Sequence, residues 1–292
     1  MRKFWILLLS LCLLLGCTNL GGSKNEKIQV VALIFPPYDF ARQIAADKAD
    51  VIILLPPGME SHHFEPTPRD IINIEKCDLF IYTGGESDVW VDDILKSLKK
   101  NVKVIRMIDC IDKKFLDDHD DYDEHVWTSP VNAMKISEKI KDSLIEIDRT
   151  NKDFYQTNFE NYLLQLEELD NKFRNLFANK RTLIFADRFP FRYFTEEYNL
   201  NYYAAIDGCS SETEPSAPTI IFLIDKIKEE NIKTVYYLEF STRKIAETLT
   251  EATGVNAAML HSCHNVSYED LENGATYVSL MTRNYEVLKE LK

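Results

Sequence analysis

From Lys152 to Asn179 the chain runs without a glycine or a proline. Tyr155, Phe159, Tyr162, Leu163, Leu166, Leu169, Phe173, Leu176 and Phe177 recur there at intervals of three and four. Apolar side chains at that period form one stripe on an α-helix. At 1.5 Å per residue the stretch spans on the order of 40 Å, enough to lie along a whole domain or to join two. Helical sequence begins earlier, at Pro130, and breaks near Asp148 to Asn151. With nothing to bend at, the long helix makes a stiff connection that limits hinge motion.

On both sides of this rod, short β-branched runs alternate with amphipathic stretches. Before it, strands are expected at Ile28 to Phe35, Asp50 to Leu55, Leu79 to Tyr82 and Lys103 to Ile108, with helices at Tyr38 to Asp47, Thr67 to Lys76 and Ser87 to Lys99. After it, strands are expected at Thr182 to Ala186, Asn201 to Ile206, Thr234 to Leu238 and Val255 to Leu260, with helices between them and a closing helix from Tyr277. Strand–helix alternation calls for parallel sheets covered on both faces. The expected class is therefore α/β: two lobes, each a mostly parallel four-stranded sheet flanked by helices, joined by a long rigid helix. The boundaries drawn are an N-terminal lobe at 28–130, a helical linker at 131–180 and a C-terminal lobe at 181–292. Ligands of such sheets bind beyond the carboxyl ends of the strands.

The histidines fall in loops that follow or precede apolar runs, and His62, His261 and His264 fall at those ends. All six come in three pairs, His62 with His63, His119 with His125, and His261 with His264. Imidazoles gathered from distant loops are the usual means of holding zinc and related metals. The first pair follows an apolar run that stops at Pro56, Pro57 and Gly58, and Pro66 and Pro68 pin the far side of the loop. The acidic run Asp117 to Glu124 reads as a solvated loop or as a rim that collects cations. His125 is different in kind, because Trp127 beside it is a large apolar anchor and Ser129 can cap a helix with Pro130 at its first position. Asp187, Asp207, Glu239, His261 and His264 stand at strand exits of the second half.

The N-terminus is expected to be removed. Arg2 and Lys3 precede the apolar run Phe4 to Leu15, which is the length of a signal-peptide core and short for a membrane span. Leu14-Leu15-Gly16-Cys17 resembles a bacterial lipobox, so residues 1–16 read as a lipoprotein signal, Cys17 as the lipidated residue and 17–27 as a tether. Cleavage takes Lys plus Arg from 34 to 32 against 47 acids, a net charge of −15. Such acidity argues against a nucleic-acid partner. Of the four remaining cysteines, the simplest pairing keeps each bridge within its half, Cys77 with Cys110 and Cys209 with Cys263. No paired-cysteine zinc spacing occurs.

Two motifs carry a family resemblance that covers nearly the whole exported chain. Ser61-His62-His63-Phe64-Glu65-Pro66-Thr67 resembles the Pro-His-x-Tyr-Glu-Pro-Thr of the solute-binding lipoproteins of zinc and manganese ABC transporters. Glu124-His125-Val126-Trp127-Thr128-Ser129-Pro130 is similar to their Asp-Pro-His-Val-Trp-Leu-Asp-Pro. Gly85 to Trp90 resembles their Gly-x-x-x-x-Trp turn. The resemblance implies His62 and His125 as metal ligands and His261 in the column of the last ligand. The remaining column falls on Arg188, three residues before Phe191-Arg192-Tyr193-Phe194, and arginine cannot bind a metal. Arg188 is instead expected to hold Glu65 or another carboxylate, with water, Asp187 or Glu239 completing the site.

The resemblance further implies a monomeric extracytoplasmic receptor, lipid-anchored to a bacterial membrane, that captures a divalent metal between the lobes. It would deliver the metal to an ABC permease and its ATPase. Three imidazoles favour zinc over manganese, which prefers oxygen. A three-histidine site with an open position also suits a zinc-dependent hydrolase, and Glu65 and Glu239 could act as bases. No HExxH pairing accompanies it.

Overall fold

The computed structural model describes residues 27–60, 64–116, 122–179, 181–206, 208 and 214–290. The signal segment, the tether with Cys17, His62, His63, His119, Asp207 and Cys209 lie outside the described residues.

The first sheet holds β1 (Ile28–Ala32), β2 (Ala49–Ile53), β3 (Leu79–Tyr82) and β4 (Lys103–Arg106), all parallel, in the order β2-β1-β3-β4. The second holds β5 (Thr182–Arg188), β6 (Asn201–Ile206), β7 (Thr234–Leu238) and β8 (Asn256–Leu260), in the equivalent order β6-β5-β7-β8. In each sheet the chain first goes to one side of the opening strand and then to the other. That reversal opens a crevice at the carboxyl ends. Helices α1 (Phe35–Ala45), α2 (Pro68–Lys76) and α3 (Val89–Ser97) belong to the first half. Local chemistry sets their starts: α1 opens on prolines, and α2 has a reciprocal box in which Thr67 and Asp70 satisfy one another's backbone N–H groups.

The linker is α4 (Pro130–Ile147) and α5 (Lys152–Leu176). The second half adds α6 (Arg192–Glu197), α7 (Ala217–Glu229), α8 (Lys244–Thr253), the short α9 (Tyr268–Glu272) and α10 (Tyr277–Glu290). Ser129 caps α4 through Asn132 N–H, as its position before Pro130 predicts. Between the two linker helices the Asp148 carboxylate accepts from Thr150 and Asn151 N–H and from the Tyr155 hydroxyl. This turn folds α5 back along α4, and α5 also packs on α1 and on α10. The apolar stripe of α5 is buried at Tyr155, Phe159, Tyr162, Leu166, Leu169, Phe173 and Leu176. The rod is thus embedded in the molecule rather than spanning a gap. One continuous apolar core includes Phe40 and Phe80 of the first half, Trp127, Tyr162 and Phe173, and Phe194, Leu260 and Tyr277 of the second. A smaller core under α7 and α8 covers the far face of the second sheet.

The structure corrects two expectations. Strand β5 continues through a register shift to Arg188, two residues past the end expected at Ala186, so Asp187 and Arg188 lie on the strand itself. Cys77 and Cys110 are free thiols. Cys77 precedes β3 while Cys110 follows the adjacent parallel strand β4, which places on the order of 10 Å of strand between them. A disulfide needs its Cα atoms within about 7 Å. Cys263 is likewise a free buried thiol.

Candidate metal centre

His125 is delivered by the segment entering α4. Trp127, fully buried, anchors that segment and donates its indole N–H to the Ser262 carbonyl at 2.9 Å, while the Tyr277 hydroxyl donates to the Trp127 carbonyl at 2.7 Å. Asp123 Oδ1 accepts from His125 N–H at 2.8 Å and lies 3.0 Å from Nδ1. A carboxylate against Nδ1 fixes the ring and its tautomer and presents Nε2 as a basic donor.

Glu124 is held from the other side by the turn after β3. Its Oε1 accepts the Ser87 hydroxyl at 2.8 Å and its Oε2 the Ser87 N–H at 3.2 Å. That turn requires glycine: a Cβ on Gly85 would lie 2.4 Å from Glu124 Cβ, and Gly84, at φ +92°, would press one into Arg106. Next to it the buried Asp88 carboxylate accepts from Thr83 and Gly84 N–H at 2.7 and 2.8 Å. Burial, and then the Glu124 charge, push the Asp88 carboxyl up to about 7.

From the second half comes the loop that succeeds β8. Cys263 adopts φ +62°, a left-handed turn uncommon for a residue with a side chain, and it reverses the chain between the two histidines. His261 Nδ1 accepts the Cys263 N–H at 2.9 Å, and its backbone is bound by Asn284. His264 comes forward, its ring 5.5 Å from that of His125 and 4.9 Å from that of Trp127. Glu124, His125 and His264 thereby bring donor atoms that all lie within 4.8 Å of one another. Two nitrogens and a carboxylate oxygen at that separation are a donor set that suits zinc.

Other residues expected at the site are tied up differently. Asp187 accepts from Arg188 and Leu238 N–H at 2.8 and 3.1 Å. Glu239 accepts the Ser262 N–H at 2.7 Å and the Ser262 hydroxyl, and so braces the loop that carries His264. His261, Asp187 and Glu239 are not among the donors that converge. Arg188 does hold a carboxylate, that of Glu60. The sequence signal for Glu124 is its place beside His125, obscured by the acidic run before it. For His264 only its pairing with His261 points the way.

The loop Ser262 to Val266 also crosses to the first half. The His264 carbonyl accepts from Phe35 N–H and the Val266 carbonyl from Gly58 N–H. The Asn265 side-chain amide donates to the carbonyls of Pro56 and Met59 at 2.7 and 2.8 Å. Of the residues bound in this way, Pro56, Gly58 and Met59 lead directly into the segment bearing His62. Glu60, Arg188, Glu239, Ser262, His264 and Asn265 line one cavity here, along with Met59 and Phe240.

Comparison with known proteins places the chain among related ones. The model of the family described as zinc-uptake complex component A, periplasmic, matches residues 30–291. The high-affinity zinc uptake system protein ZnuA of Bacillus subtilis is 32% identical over 316 residues, covering 99% of this chain and 98% of its own. The zinc-binding lipoprotein AdcA of Streptococcus pneumoniae is 31% identical over 99% of this chain, which spans 61% of that protein. Among solved structures, the Zn(II)-bound ZnuA-like domain of that AdcA superposes with a TM-score of 0.78 at 31% identity, over 91% of this chain and 98% of the domain. The metal-dependent lipoprotein YcdH of Bacillus subtilis gives 0.80 at 33%, over 91% and 99%.

Proposed function

Because the chain belongs to the family of zinc-uptake complex component A, we propose that it is an extracytoplasmic receptor that captures zinc between its lobes and hands it to an ABC permease and its ATPase. The observation that carries this reading is the convergence of Glu124, His125 and His264 on one space at the carboxyl ends of both sheets. His62 joins them as the fourth ligand; its motif supports this, and the loop carrying it is bound by Asn265. The family is one of solute-binding receptors, so the hydrolase alternative has no support there. Nitrogen-rich ligation favours zinc over manganese as cargo. Cys17 serves as the lipid anchor, a reading supported by the Leu14-to-Cys17 motif and by a relative that is named a lipoprotein. The receptor acts as a monomer.

Calorimetry on the purified chain tests the proposal. One zinc binds per chain, and His62→Ala, His125→Ala and His264→Ala each weaken it about 100-fold or more, since each removes a ligand. His261→Ala costs much less affinity and lowers the melting temperature instead. A loss at His261 that matches the loss at His264 would replace this ligand set with the one read from the motif columns.

A further inference from the structure

Arg188 falls in the column where the motif resemblance places a metal ligand, and it faces Glu60 fork to fork. Nη1 donates to Oε2 and Nη2 to Oε1, both at 2.9 Å. The guanidinium is largely buried, with 13% of its side chain exposed, and its Nε lies 3.8 Å from Asp187. Glu60 stands two residues before His62 and lines the same cavity as His264. A carboxylate there is well placed to become an additional oxygen ligand. Asp187 and Glu239, two further carboxylates near the cleft, are held by backbone N–H groups and cannot leave without disturbing β7 or the His264 loop. The fork on Glu60 comes from a side chain, and one substitution removes it.

We propose that Arg188 is a metal-selectivity determinant: by clamping both oxygens of Glu60 it withholds an oxygen donor from the ion and keeps the site small and nitrogen-rich. Manganese favours more, and harder, oxygen ligands than zinc does, so the clamp discriminates against it. The bidentate geometry matters, because a single bond would leave one oxygen able to reach the metal. The pair also has a charge role. Glu60 neutralises a guanidinium that would otherwise repel a dication in the same cavity. This inference rests on the zinc-receptor reading and adds to it what sets the choice of metal.

The test compares wild type, Arg188→Gln, Glu60→Gln and the double variant, using zinc and manganese for affinity and cobalt(II) as a spectroscopic probe of coordination number. In Arg188→Gln the zinc-to-manganese affinity ratio falls about tenfold or more, as for loss of other groups that orient ligands. Its cobalt absorption also weakens as a ligand is added. The double variant restores both. Glu60→Gln alone leaves the shape of the cobalt bands unchanged, because Glu60 is not a ligand in the parent. Should Arg188→Gln fail to fold, Arg188→Lys keeps the charge and loses the fork, and gives the same shifts at smaller amplitude. Stoichiometric zinc binding by an Arg188 variant with an unchanged ratio and spectrum overturns the inference, as does a band shift in Glu60→Gln. Failure of the wild type to bind zinc at all would defeat the receptor reading instead.

Discussion

At the scale of single residues the site depends on groups that never touch the ion. Gly85 leaves room for Glu124, and with a methyl group 2.4 Å from Glu124 Cβ something must move. Gly85→Ala should therefore displace the carboxylate, weaken zinc binding about tenfold or more and cost on the order of 1–3 kcal/mol of stability through overpacking. Calorimetry and denaturant melts check the two effects separately. Asp39 is a buried carboxyl outside the converging donor set. Fully buried, it accepts from Tyr277 N–H at 2.8 Å and from Arg42 and Gln43, yet burial outweighs these bonds and raises its carboxyl above the ordinary 3.8. The unfolded chain then releases this proton first, so between 3.8 and the raised value the native state binds more protons and stability falls as pH rises. Asp39→Asn should flatten that part of the stability–pH curve. A slope identical to wild type would show that Asp39 titrates normally in the fold.

At the scale of elements, α5 has the clearest consequence. Its buried stripe faces α4, α1 and α10 together, so Leu169→Ala should cost about 2–5 kcal/mol, the usual range for a core leucine. Urea melts measure it. The same stripe is plain in the sequence, as are the strands of both sheets and the cap at Ser129, because period and capping are local signals. Which of His261 and His264 faces Glu124 and His125 is not legible in the same way: between the two histidines Cys263 takes a left-handed backbone, which nothing in the composition of that loop announces. The clamp between Glu60 and Arg188 joins positions 128 apart in the chain, a separation at which no local sequence signal operates. Periodicity leaves open whether α5 lies along one domain or joins two; the Asp148 turn folds it back against α4.

At the scale of the whole molecule, the shared core and α5 couple the halves. Heating should give one unfolding transition rather than two, and zinc at about 100 times its dissociation constant should stabilise the protein by about 2.7 kcal/mol through linkage. Scanning calorimetry with and without the metal tests both, and two separated transitions would show that the halves melt independently. The bonds that tie the segment around His264 to Phe35, Gly58, Pro56 and Met59 have a further consequence. Departure of the cargo is expected to require these contacts to break, although they play no part in coordination, so that its residence time follows how often the clasp comes undone. Asn265→Ala should then shorten the dwell in a chelator chase by a larger factor than it shifts the equilibrium, and whatever docks on this face could hasten unloading simply by prising the clasp open.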